Sequence, residues 1–217
     1  MSEPASEPLD FNAFQKALKA LDEELGKFEF IVAFAPIKLI TAGGFLAVNY
    51  LKNRDTTKDM NYLLDPEWAT DEDIKKPLEQ AILRVSKRLQ ISEEWATEDM
   101  SLYVTKETRI HLFRKAQKQN IILFRGDHLI ILAAPIKWAL KRKIRWMFAP
   151  GRNRMVEVDM GDLLAMLKWI RDLKGGLLNR EHLRTQSVNS FDVVPDAAGM
   201  EQIAAAYRER YREEIFA

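Results

Sequence analysis

The chain has 217 residues, 47% hydrophobic and 30% charged, a balance that fits one large or two small globular domains and excludes collagen-like, low-complexity and wholly disordered classes. Its 33 basic and 32 acidic side chains leave a net charge of +1, so a charged partner has to be recognised through local clustering of charge. The absence of cysteine excludes disulfides, thiolate zinc sites and cysteine nucleophiles, and the acidic start MSEPASEPLD, with no apolar run near the roughly 18 residues of a membrane span, leads us to expect a cytoplasmic protein with no membrane partner.

Residues 1–9 read as a disordered tail. Asp10 is placed to cap a helix in which Phe11, Phe14, Leu18, Leu21 and Leu25 recur at spacings of three and four, and Gly26 is placed to end it. After the apolar stretch 28–35, the β-branched run IKLITAGG predicts a buried strand stopping at Gly43 and Gly44, followed by a helical segment over 45–51. A polar turn over 53–58 leads into a strand over 59–64. The spacing of Ile74, Leu78, Ile82, Val85 and Leu89 predicts an amphipathic helix over 71–89, with acids in its first turn and Lys87 and Arg88 in its last. A strand over 101–104, a helix over 107–117 and a hairpin over 120–132, turning at 125–128, come next. Pro135 precedes the basic helix IKWALKRKIRWM and the loop APGRNR. A helix over 159–173 halts at Gly175 and Gly176, and a short helical piece over 179–185, a linker over 187–196 and a helix over 200–215 complete the chain. No internal repeat and no regular βαβ alternation is present, so the class is α+β around a small mixed sheet flanked by helices.

Three groups of residues carry chemistry. The glycine pair Gly43–Gly44 at a strand end leaves backbone N–H groups accessible to a phosphate, with Asp59 entering the next strand near the same end. On the basic helix, Lys137, Lys141 and Arg145 share one stripe beside an apolar stripe of Ile136, Leu140, Ile144 and Met147. Arg142, Lys143, Arg152 and Arg154 extend this patch, and no acid falls between His128 and Val156, so the local field suits an RNA phosphate backbone, with Trp138 or Trp146 available for stacking. Asp159 and Asp162, three apart, share a helix face; paired carboxylates divide acid and base roles, and first-turn acids also simply answer the helix dipole. His111, His128 and His182 are scattered and suggest neither a metal cluster nor a catalytic triad.

The stretch GGFLAVNYLKNRDTTKDMN resembles the nucleotidyltransferase superfamily, whose signature is a glycine pair at a helix start followed by two alternating carboxylates. Gly43 and Gly44 match the pair and Asp59 the first carboxylate, while Asn61 stands at the second. From residue 37 to 172, about two thirds of the chain, the order of the glycine pair, DMNYLLDPEW, WATEDM, the NIILF hairpin, AAPIKWALKRKIR and the acidic helix is similar to a fungal family of nucleotidyltransferase-like proteins. Within it the arginine-containing cyclodipeptide synthases join two aminoacyl groups from aminoacyl-tRNAs into a diketopiperazine, a reaction of secondary metabolism that needs no cofactor. Their motif D-D-x-x-E is met here by Val158, Asp159 and Asp162, so Asp159 matches, Asp162 is a shortened equivalent of the glutamate, and valine replaces the first aspartate.

The resemblance implies one nucleotidyltransferase-like domain over 10–186, with the linker and C-terminal helix of 187–217 packed on it, and an aminoacyltransferase acting on aminoacyl-tRNA, with no DNA partner. Asp159 and Asp162 are then the candidates for the general base and for holding a cationic aminoacyl chain, and Lys137, Lys141, Arg142, Lys143, Arg145, Arg152 and Arg154 for binding RNA. Two alternatives stay open. One is a nucleotidyltransferase with Gly43 and Gly44 at a triphosphate and Asp59 on magnesium; the other is a catalytically silent module that binds RNA or protein.

Overall fold

Asp10 caps the first helix as expected: its carboxylate accepts from the Ala13 amide at 2.7 Å, α1 runs Phe11–Leu25, and Gly26 closes it. The computed structural model describes residues 7–148, 157–185 and 194–217, and the chain divides into two compact units, Met1–Pro135 and Ile136–Ala217. The architecture is α+β, with a mixed five-stranded sheet and flanking helices. Among the described residues no helix is long and apolar enough to cross a membrane. The expected tail ends earlier than residue 9, because Leu9 is buried and the two-residue strand β1 (Leu9–Asp10) pairs antiparallel with residues 56–57.

The first unit continues with α2 (Glu29–Phe34), β2 (Ile37–Thr41) and a short α3 (Gly44–Leu46), which widens into a π-helical turn at Ala47–Leu51. Then come β3 (Thr56–Thr57), β4 (Met60–Leu64), α4 (Glu72–Leu89), β5 (Ala96–Thr97), α5 (Lys106–Gln119), β6 (Ile122–Arg125) and β7 (Leu129–Ala133). The sheet order is β5-β4-β2-β7-β6; β2 runs parallel to β7 and antiparallel to β4. Alternation assigns the faces. Ile37, Leu39, Leu64, Leu129 and Ile131 join Phe14, Leu18 and Leu21 of α1 and Leu78 and Val85 of α4 in one apolar cluster. Ile40, Leu63, Ile130 and Leu132, one residue out of step, are buried outside that cluster.

The strand expected over 101–104 is a 3-10 helix, Asp99–Tyr103, in which Leu102 is 75% exposed; a strand whose central apolar residue faces water buries nothing. The edge of β4 is instead taken by β5, in the register Met60↔Ala96. The 120–132 hairpin forms as expected, and Asp22 of α1 holds its turn, its carboxylate accepting from the amides of Asp127, His128 and Leu129 at 2.9–3.0 Å.

The second unit consists of α6 (Ile136–Phe148), α7 (Glu157–Lys174), α8 (Arg180–Thr185) and α9 (Ala197–Tyr211). α7 packs on α6 and α9. The last helix was expected to run to 215 but ends at Tyr211, where Arg212 turns left-handed at φ 58°. Beyond that turn Ile215 is fully buried, and its carbonyl accepts from the Leu178 amide at 2.8 Å, a position that a continued helix does not reach. The expected loop over 149–154 and most of the linker over 187–196 lie outside the described residues.

Candidate functional site

The expected site residues fall into both units. Gly43, Gly44, Asp59 and Asn61 belong to the first; the basic helix and the aspartate pair belong to the second.

In the first unit the chain leaves β2 through Gly43, whose φ of 70° and ψ of −138° suit only a residue without a side chain. Nothing lies within 4 Å of where a Gly43 Cβ would point. Gly44 is different: a Cβ there would collide with the Thr57 hydroxyl and the Arg54 guanidinium, so the 54–57 turn leans directly on the glycine backbone. The β1–β3 pairing holds that turn in place.

Asp59 follows the turn and is half-buried. Burial raises its carboxyl above the ordinary value and the Asp99 charge adds to this; a hydrogen bond from the Asn61 side chain and the charges of Arg54 and Lys58 oppose the rise. Asp99, 40 positions further on, is a partner that local spacing had no means of finding. Asn61 sits at the position of the second carboxylate, and its Oδ1 already accepts from the Thr97 hydroxyl at 2.9 Å. Magnesium calls for several anionic oxygens. Among the described residues no group of three or more His, Cys, Asp or Glu is arranged to hold a metal, and the one amide oxygen available is committed to Thr97, so the residues do not fit a magnesium site.

In the second unit Asp159 and Asp162 do share a face of α7, and both meet Lys143 of α6, whose Nζ lies 2.7 Å from Asp159 Oδ1 and 3.2 Å from Asp162 Oδ2. The exposures are unequal. The Asp162 side chain is 2% exposed, Asp159 23% and Lys143 15%. Lys143, expected on the RNA-binding patch, therefore points to the carboxylates, a partner set by helix packing and invisible in a charge count. Val158, where the motif has its first aspartate, is exposed to solvent.

The remaining cations stay where their spacing puts them. Lys137, Lys141 and Arg145 follow one another at one-turn intervals, and burial followed by the charges of Arg145 and Lys137 pushes the Lys141 ammonium below its ordinary value. Arg142 stacks over Trp138, its guanidinium carbon 5.1 Å from the ring centroid, and Trp146 is 45% exposed. Arg152 and Arg154 lie outside the described residues.

No protein-family model matches the chain, and no curated protein or solved structure is significantly similar to it.

Proposed function

We propose that the protein acts on aminoacyl-tRNA as a cyclodipeptide synthase with a nucleotidyltransferase-like fold, arginine being one of the amino acids it joins. The observation that carries the reading is the cationic stripe of α6. Burial first, and the charges of Arg145 and Lys137 after it, destabilise the charged form of Lys141, in a protein whose total charge is only +1. Like charges kept together at such a cost are relieved by a polyanion, and the accompanying tryptophans suit unpaired nucleotides better than a duplex.

Asp159 is the carboxylate with access to a substrate. Lys143 fixes its direction, and its partial exposure leaves an oxygen able to receive a proton from the attacking amine. Each attack on an ester carbonyl forms one amide bond and releases one tRNA 3′-hydroxyl; two attacks close the ring. Asp162, buried against Lys143, acts as a positioning residue in this scheme.

The test is mass spectrometry of small molecules after incubation with mixed aminoacyl-tRNAs, with and without RNase. An RNase-sensitive, arginine-containing cyclic dipeptide that disappears in Asp159→Asn is the expected product. A second reading, a silent RNA-binding relative, draws on the Lys143 clamp over both carboxylates and on Asn61 at the second carboxylate position. Retention of tRNA without any product supports that reading and overturns the first.

A further inference from the structure

A cavity of about 400 Å³ lies in the second unit among α6, α7 and α8. Lys137 and Lys141 reach it from α6, Leu173 and Lys174 from α7 and His182 and the half-buried Leu183 from α8. Among the described residues no carboxylate lines it. The acids nearby are committed elsewhere: Asp172 pairs with Lys168 at 2.8 Å, Glu213 with Arg171 at 2.6 Å, and Glu181 with Arg184 at 2.6 Å. Lys174 donates to the Leu177 carbonyl at 2.6 Å and keeps its charge, so it lines the cavity as a cation beside Lys137 and Lys141. Leu173 beside them is 68% exposed among the described residues.

Each simpler ligand leaves part of this lining unanswered. A cation meets only lysines and a histidine. A bare inorganic anion satisfies the lysines and leaves the leucines wet, and a neutral apolar molecule leaves the crowded ammonium groups without a counter-charge. The volume falls within the roughly 300–1,000 Å³ typical of small-molecule sites.

We propose that this cavity binds a small amphipathic anion, a phosphate or carboxylate joined to an apolar body, with the anionic group on Lys137 and Lys141 and the body on Leu173 and Leu183. The site shares Lys137 and Lys141 with the stripe assigned to RNA but does not rest on that reading, which uses neither the cavity nor its leucines. Lys141, already pushed toward its neutral form by burial and by the cations beside it, gains a counter-charge, and the exposed Leu173 gains a cover.

Isothermal titration calorimetry on the full chain, in the absence of RNA, tests this with three probes: n-octyl phosphate below its micelle concentration, adenosine 5′-monophosphate and inorganic phosphate. Saturable binding of octyl phosphate or the nucleotide, with inorganic phosphate at least about tenfold weaker, is expected. The stronger of the two organic probes then tells an acyl-type source from a nucleotide source. Lys141→Gln and Leu173→Glu should each weaken binding by at least about tenfold. Leu173 is exposed enough for its replacement to leave the fold intact, and circular dichroism of that variant confirms it. Binding of inorganic phosphate as tight as that of the organic probes, binding unchanged in both variants, or no binding of either organic probe overturns the proposal.

Discussion

Replacing Lys143 by methionine tests whether the two aspartates form a structural ion triad with it. The substitution keeps most of the side-chain volume and removes the charge shared by Asp159 and Asp162, at 2.7 and 3.2 Å. Breaking a buried pair from one side costs about 3–5 kcal/mol, because a charge is left in a poorly solvated place. Three features of the structure set the value within that range. Asp162 is almost fully buried, which favours the upper end; Asp159 is 23% exposed and Asp162 makes contacts besides Lys143, which favour the lower. We therefore expect a loss of about 3 kcal/mol, equivalent to a fall in Tm of about 6–12 °C for a chain of this size. Urea unfolding followed by circular dichroism measures it. The double variant Lys143→Met/Asp162→Asn removes the stranded charge as well and should recover at least about 1 kcal/mol relative to the single variant. A Lys143→Met protein within about 0.5 kcal/mol of the parent would refute the reasoning. So would a double variant no more stable than the single one, since the aspartate charge would then not be the source of the cost.

Two further predictions concern the first unit. Asp22→Ala removes the acceptor of three backbone amides in the β6–β7 turn and should cost about 2 kcal/mol by urea unfolding, with Asp22→Asn in between, since its one remaining amide oxygen satisfies part of the turn. For Asp59, whose carboxyl is raised by burial first and by Asp99 second, the folded state binds the proton more readily than the unfolded state. Stability should then fall as pH rises from the ordinary carboxylate range through the raised value. Asp59→Asn should remove that component and be at least as stable as the parent at neutral pH; urea midpoints from roughly pH 4 to pH 7 that are parallel in the two proteins contradict this.

Where the determinants are local, the sequence was enough to read the structure. Asp10 before Phe11 marks the start of α1 because a side-chain cap acts within one turn of backbone, whereas Gly26 at its end is right-handed and leaves room for the His128 ring. The spacing from Ile74 to Leu89 marks α4 because a 3.6-residue period has only one face to bury, and the runs on either side of Arg125–His128 mark β6 and β7. The stripe of Lys137, Lys141 and Arg145 and the shared face of Asp159 and Asp162 follow from the same helical geometry.

Other features depend on residues distant in the chain, and only the tertiary structure decided them. The two-residue strands β1, β3 and β5 have no signal of their own and exist because a partner backbone offers hydrogen bonds. Leu102 carries an apolar side chain that a pattern assigns to a strand, yet it faces water because the edge of β4 is already occupied by Ala96 and Thr97. Lys143 looks like one more cation in a basic run until α7 packs against α6 and presents it with two carboxylates. Asp59 acquires its raised carboxyl from burial and from Asp99, a charge brought to it by the fold. Local sequence determines helix faces and caps because their energies arise within a few residues; it leaves open which charge meets which, since desolvation and pairing depend on what the rest of the chain packs around each group.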